Sequence, residues 1–364
     1  MKTRLLLFLL LLGLSVTHVA AQTADFTDAI VAGMGMRLRL RDAPSLTSET
    51  LDVLDSGVKL MVVGRTTDST WLQVRAPEGT VGWVAAAYLD VLVDLNSVAV
   101  TTNLDSLVHP IQLAENVAQN VRSIFELGQS LGNHPDVFVK VGDSITVASH
   151  NLQPIGSDLY TLADYQYLQT VIDHFAAGHI GDANPFTRVS LAAGVGWTTD
   201  AVLKPGFADP AHCQPGESPL VCEYRLARPA VALIMFGTND VAHLDAGTYG
   251  YNLGRIVQYS LEQGVIPILS TIPVRVGYEE QSAAFNERVV RLSRRYTIPL
   301  WEYGAAMQAL PEGGLSPDGV HPSIAAAGYK GAADFRAFNL QYGYVTRNLT
   351  TLQMLDAVLQ AITP

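Results

Sequence analysis

Val137-Phe138-Val139-Lys140-Val141-Gly142-Asp143-Ser144-Ile145-Thr146 is an apolar run that stops abruptly at a glycine, an acid and a hydroxyl. Three β-branched residues and a phenylalanine within five positions suit a strand buried on both faces, and Gly-Asp-Ser after it marks a sharp exit. Comparable runs recur at 188–192, 231–236, 265–269 and 298–301. Between and around them, apolar residues fall at helical spacing through 112–131, 163–177, 247–263, 279–296, 324–338 and 350–362. Short buried strands separated by amphipathic helices predict an α/β fold, a three-layer, doubly wound parallel sheet. In such a sheet, ligands bind beyond the carboxyl ends of the strands. Ser144, Gly196 and Asn239 each follow a predicted strand at that end.

The chemistry-bearing residues are spread along the chain. Ser144 lies in the first stretch, and Ser316-Pro317-Asp318-Gly319-Val320-His321-Pro322 lies far downstream. Hydroxyl catalysis needs a nucleophile, a base for its proton and a carboxylate that fixes the base's tautomer. Ser144, His321 and Asp318 supply the three. Phe236-Gly237-Thr238-Asn239-Asp240 offers an uncharged amide donor for a developing oxyanion, and Gly196 lets backbone approach a substrate oxygen closely. Each stretch also has a plainer reading. Asp143-Ser144 suits a helix N-cap, Asn239-Asp240 a turn, and Asp318-Gly319 a turn whose His321 caps the next helix. Those readings must all hold at once for the site to dissolve. His150 and His243 lie near strand ends too, where a pocket-lining or surface place suits them better than a catalytic one.

Gly142-Asp143-Ser144-Ile145, Gly194-Val195-Gly196, Gly237-Thr238-Asn239-Asp240 and Asp318-Gly319-Val320-His321 resemble the four blocks of the GDSL or SGNH hydrolase superfamily, which has a flavodoxin-like fold. The resemblance implies a serine hydrolase that cleaves esters through an acyl-enzyme and needs no cofactor or metal. Carried over, it makes Ser144 the nucleophile, His321 the base and then the acid, and Asp318 its partner. The backbone N–H groups of Ser144 and Gly196 and the Asn239 amide become the oxyanion donors. Ile145 stands where relatives carry leucine. Trp197 stands where many relatives carry a small polar residue or an aspartate; an indole there suits either a wall of the acyl pocket or a platform that stacks on a sugar ring.

Upstream the pattern changes. Met36-Arg37-Leu38-Arg39-Leu40-Arg41 alternates strictly, and short apolar runs follow at 51–54, 58–63, 71–74 and 81–84 between turn residues. A small all-β barrel over 34–92 is expected, then a linker over 93–111 and the α/β part over 112–364. Leu40-Arg41-Asp42-Ala43-Pro44-Ser45 and Gly82-Trp83-Val84 resemble the signature stretches of bacterial SH3 domains. That resemblance implies a module that tethers an enzyme to cell-wall peptide or glycan; a plain spacer is the other reading.

The first 21 residues read as a secretory signal peptide: Lys2 and Arg4, an apolar run over 5–14, and small residues before Gln22. An uncleaved anchor is the alternative, although the run is short for a span. The chain of 364 residues is 48% hydrophobic, which supports a sizeable core, and its formal net charge is −11. Such a surface repels phosphate backbones and acidic lipid, so neither nucleic acid nor a stable membrane anchorage is expected. Cys213 and Cys222, nine positions apart, are expected to pair in an exported chain; only His212 is adjacent, so a metal site is not expected.

The sequence thus leads to a secreted or envelope-located ester hydrolase, acting on an acylated glycan or other cell-wall polymer. A lipase or lysophospholipase of the same family is the rival among enzymes. A non-catalytic envelope-binding protein that keeps the fold is the rival from another class.

Overall fold

The computed structural model describes residues 27–32, 37–44, 48, 50–66, 69–77, 79–98 and 111–363. The expected leader at 1–21, Met34, Met36, Ser45 and linker residues 99–110 lie outside them. Seven antiparallel strands come first: β1 (Ala29–Val31), β2 (Arg37–Arg41), β3 (Thr50–Asp55), β4 (Lys59–Arg65), β5 (Trp71–Arg75), β6 (Val81–Ala85) and β7 (Leu89–Val91). They lie in the order β3-β2-β6-β5-β4-β1-β7, an SH3-like arrangement. Alternation places Leu40, Leu54, Leu60, Val62, Leu72, Val74 and Val84 in one small core. The strands β1 and β7, three residues each, carry too little pattern to be read from sequence.

Four parallel strands follow: β8 (His134–Gly142), β9 (Pro229–Met235), β10 (Ile266–Ser270) and β11 (Leu300–Trp301), adjacent in chain order. Helices α1 (Glu115–Leu131), α2 (Ser144–Val147), α3 (Gln153–Gly156), α4 (Gln169–Ala176), α5 (Pro219–Ala227), α6 (Ala246–Glu262), α7 (Glu279–Tyr296), α8 (Tyr303–Gln308) and α9 (Gly343–Ile362) surround them. Every residue of β9 and β10 is buried. Both faces of the sheet are therefore covered, as their unbroken apolar runs require. Among the described residues, no helix is long and apolar enough to cross a membrane.

Three expected elements differ. Residues 188–192 form no strand; only a single parallel bridge joins Ala193 to Gly142. The Leu191 N–H goes to Glu223 and the Ala192 N–H to Ser190 Oγ, so side chains take the bonds a ladder needs. Even so, the bridge lies on the side of β8 away from β9. The chain order therefore reverses at Gly142, which is where a doubly wound sheet opens its binding crevice. Residues 324–338 form no α-helix, only short 3-10 turns at Gly328–Gly331 and Ala337–Asn339. There the backbone of Ala333 and Phe335 pairs with Thr161, and Asn348 Nδ2 takes the oxygen of Ala332. The last helix starts at Gly343, seven residues before the expected Thr350.

The two parts touch directly. Met61, Val63 and Val81 pack against Val290 and Leu300. Asp28 forms an ion pair with Arg294, and Arg75 lies 3.5 Å from Glu302 in a second, deeply buried pair. Around that second pair is a cavity of about 480 Å³ between the β-sheet part and the α/β part.

Candidate active site

The strand β8 ends at Gly142, where only glycine fits: a Cβ would lie 2.2 Å from Thr146 Oγ1 and 2.5 Å from the Met235 oxygen. Asp143 follows as the N-cap of α2, its Oδ1 accepting from the Ile145 N–H at 3.0 Å. This turn sets Ser144 at the first position of the helix, beyond the end of the strand. Burial drives the Asp143 carboxyl up to about 7, against the pull of the Ile145 N–H and the Arg347 charge. Its Oδ2 has no hydrogen-bond partner among the described residues.

Ser144 Oγ lies 2.9 Å from His321 Nε2, and His321 Nδ1 lies 2.7 Å from Asp318 Oδ2. The Asp318–His321 spacing comes from a local turn. Asp318 Oδ1 accepts the N–H groups of Val320 (2.9 Å) and His321 (3.0 Å), which folds the imidazole back onto the second carboxylate oxygen. Burial pushes the Asp318 carboxyl up, but the His321 ring and these two N–H groups together outweigh it and hold the carboxyl below its usual value. Asp318 stays ionised, as orientation of a histidine requires. The Ser316 N–H bonds to the His321 oxygen (2.7 Å) and Ser316 Oγ to the Pro322 oxygen (2.9 Å), closing the loop from behind.

The loop at 193–197 is zipped to the end of β8 by Gly142 N to Ala192 O and Gly194 N to Gly142 O, both 3.2 Å. Gly196 adopts φ +74, a left-handed conformation that disfavours other residues. Asn239 Nδ2 donates to the Trp197 oxygen at 3.0 Å, joining this loop to the one after β9 and leaving the amide a second N–H. Among the described residues the N–H groups of Ser144 and Gly196 have no acceptor. These three donors are available to an incoming oxygen.

The Trp197 indole lies against Gly194 and meets Phe207 edge-on, with centroids 5.9 Å apart. The His150 ring lies tilted against Tyr344, centroids 5.4 Å apart, and burial lowers its pKa, while His243 is exposed at the end of the Asn239 loop. Neither ring bonds to Ser144, Asp318 or His321. Cys213 and Cys222 are bonded, with Cα atoms 5.3 Å apart, tying the loop before α5 to the first turn of that helix.

Sequence reasoning gave no role to two buried residues that brace this site. Asp240 Oδ1 accepts from Thr199 N (2.8 Å) and Thr199 Oγ1 (2.6 Å), while Oδ2 accepts from Gly237 N (3.1 Å). Arg347, on α9, bonds Asn151 Oδ1 at 3.1 Å and lies over the rings of Trp301 (4.9 Å) and Tyr303 (5.1 Å). Asp240 sits inside the third block, which was a signal. Arg347 lies in a polar stretch with none.

A parallel α/β sheet of this kind, with these blocks at its carboxyl edge, defines an ester-bond hydrolase. Residues 141–330 match the model of the GDSL-like lipase/acylhydrolase family, and residues 37–90 match that of the bacterial SH3 domain. The chain belongs to the GDSL-like lipase/acylhydrolase family. Solved structures similar to it include a lipase/acylhydrolase from Enterococcus faecalis, at 20% identity, 59% of this chain, 95% of the other and TM-score 0.37. The psychrotrophic esterase EstA from Pseudoalteromonas sp. is 15% identical over 62% of this chain and 97% of its own, with TM-score 0.38. A carbohydrate esterase family 3 structure from Talaromyces cellulolyticus is 16% identical over 60% and 97%, with TM-score 0.39. No curated protein matches the chain.

Proposed function

We propose that the protein is an exported serine esterase that removes O-acyl or acetyl groups from an envelope polymer. The reading rests on one observation, the unbroken file Ser144 Oγ, His321 Nε2, His321 Nδ1, Asp318 Oδ2 at 2.9 and 2.7 Å. His321 takes the Ser144 proton as Oγ attacks the ester carbonyl carbon. Charge collects on the carbonyl oxygen and is stabilised by the N–H groups of Ser144 and Gly196 and the second N–H of Asn239. His321 then gives its proton to the departing alcohol, leaving an acyl group on Ser144. A water molecule, deprotonated by the same imidazole, attacks the acyl carbon, and collapse returns serine and free acid.

Export through the 1–21 leader agrees with the disulfide, which persists in oxidising compartments. The SH3-like sheet acts as a tether, raising the local concentration of ester on an insoluble polymer. The test is a panel of acetylated glycans and acyl esters of graded length. Fastest turnover on the acetylated glycans supports the reading. Rates that climb steadily with acyl length point instead to a lipase.

A further inference from the structure

The loop after β10 carries a cation that ester hydrolysis itself does not need. Arg275 Nη1 donates to the Thr238 oxygen at 2.7 Å, one residue before Asn239. The next residue, Val276, donates its N–H to the Gly319 oxygen at 3.0 Å, two residues before His321. Arg275 therefore stands where the Asn239 loop meets the loop that carries Asp318 and His321. Its guanidinium lies over the Tyr278 ring, 4.9 Å from the centroid, and its backbone N–H bonds to Ser282 Oγ at 3.2 Å. Held this way, the side chain has little freedom left to lose on binding. Among the described residues the Nε and Nη2 atoms have no hydrogen-bond acceptor, and Arg275 is half-buried rather than sealed. Those two nitrogens form one edge of the guanidinium, the edge that matches a carboxylate or phosphate with two parallel bonds.

We propose that Arg275 is a specificity residue that binds an anionic oxygen group carried by the substrate beside the scissile ester. The substrate is then an acylated acidic unit, with a carboxylate or a phosphate near the ester, rather than a neutral one. A chain of net charge −11 repels such substrates at long range. Their selection therefore falls to a fixed local cation. This inference rests on the reading of Ser144 as the nucleophile of an ester hydrolase.

The experiment compares kcat/KM of the full-length protein on three matched monoacetyl esters: a methyl hexoside, its uronic acid and its phosphate. Wild-type enzyme is expected to favour one of the two charged esters over the neutral one by about tenfold or more. The favoured ester identifies the anion. In Arg275→Gln, which keeps the bulk over Tyr278, that ratio collapses towards one; Arg275→Lys, a point charge without the fork, retains part of it. Were Arg275 only a prop for the Thr238 oxygen, both rates would fall together and the ratio would persist, overturning the proposal. Equal wild-type rates on all three esters overturn it without any variant. Failure of the wild type to hydrolyse any ester would sink the hydrolase reading instead.

Discussion

Asn239 Nδ2 donates to the backbone oxygen of Trp197 across 3.0 Å. One amide thus joins the loop after β9 to the loop that carries Gly196, and still has an N–H to offer a substrate oxygen. Asn239→Ala removes both. Its kcat is expected to fall by about 10²–10³, the usual loss for one oxyanion donor, while stability falls by only about 1 kcal/mol. Steady-state kinetics beside a thermal melt checks this. A variant with near-parental kcat would remove Asn239 from the oxyanion site.

Two glycines of the same loop should respond differently. A Cβ on Gly194 would lie 2.4 Å from Trp197 Cε2, whereas one on Gly196 meets nothing within 4 Å. Gly196→Ala therefore bears only the strain of φ +74, about 1 kcal/mol. Gly194→Ala must displace the indole, and with it the oxygen that holds Asn239. Activity should drop more in Gly194→Ala, with a change in Trp fluorescence that Gly196→Ala does not share. The reverse order would show that the indole does not set the loop.

Asp143 makes a pH-dependent contribution whose sign follows from burial. Its carboxyl is driven up to about 7 in the folded chain, above its ordinary value near 4. The folded state then holds the proton more tightly than the unfolded state, so wild-type stability declines as pH rises from about 4 to about 7. Asp143→Asn keeps an oxygen for the Ile145 N–H and has no such decline. The difference in melting temperature, variant minus wild type, should grow over that window and level off above it. A difference independent of pH would show that the carboxyl titrates normally.

The contact between the two parts depends on Asp28, which accepts from Val62 N at 2.9 Å and pairs with Arg294 of α7. The residue is only 3% exposed. Asp28→Ala should destabilise by roughly 3–5 kcal/mol, as loss of one partner of a buried pair does. Urea unfolding, with limited proteolysis of the SH3-like sheet, reads both the loss and its location. A change within about 0.5 kcal/mol, the range of an ordinary surface substitution, would mean that the pair does not hold the parts together.

What the sequence carried plainly was whatever is encoded locally. The strands β9 and β10 are continuous apolar runs, and the Asp318–His321 geometry is an i, i+3 turn built by one carboxylate. What it hid depends on distant partners. The first turns of α9 hold Arg347, Asn348 and Thr350, polar residues that are nonetheless buried. Asn348 alone serves Leu152 N, the His150 oxygen and the Ala332 oxygen, and no periodicity announces such partners. The same cause undid the strand at 188–192 and the helix at 324–338, whose backbone groups are taken by Glu223, Ser190, Thr161 and Asn348. Arg275 escaped notice because its place between two loops exists only after folding.

Covalent labelling decides whether Ser144 is the nucleophile. A serine-directed phosphonate is incubated with the purified protein, and the labelled peptide is located by mass spectrometry. One adduct per chain is expected, on Ser144, with activity lost in step with labelling. Neither adduct nor esterase activity is expected in Ser144→Ala, several orders of magnitude being lost with a triad member. An adduct on another residue, or activity above about one per cent of the parent in Ser144→Ala, a loss far short of that, would contradict the assignment.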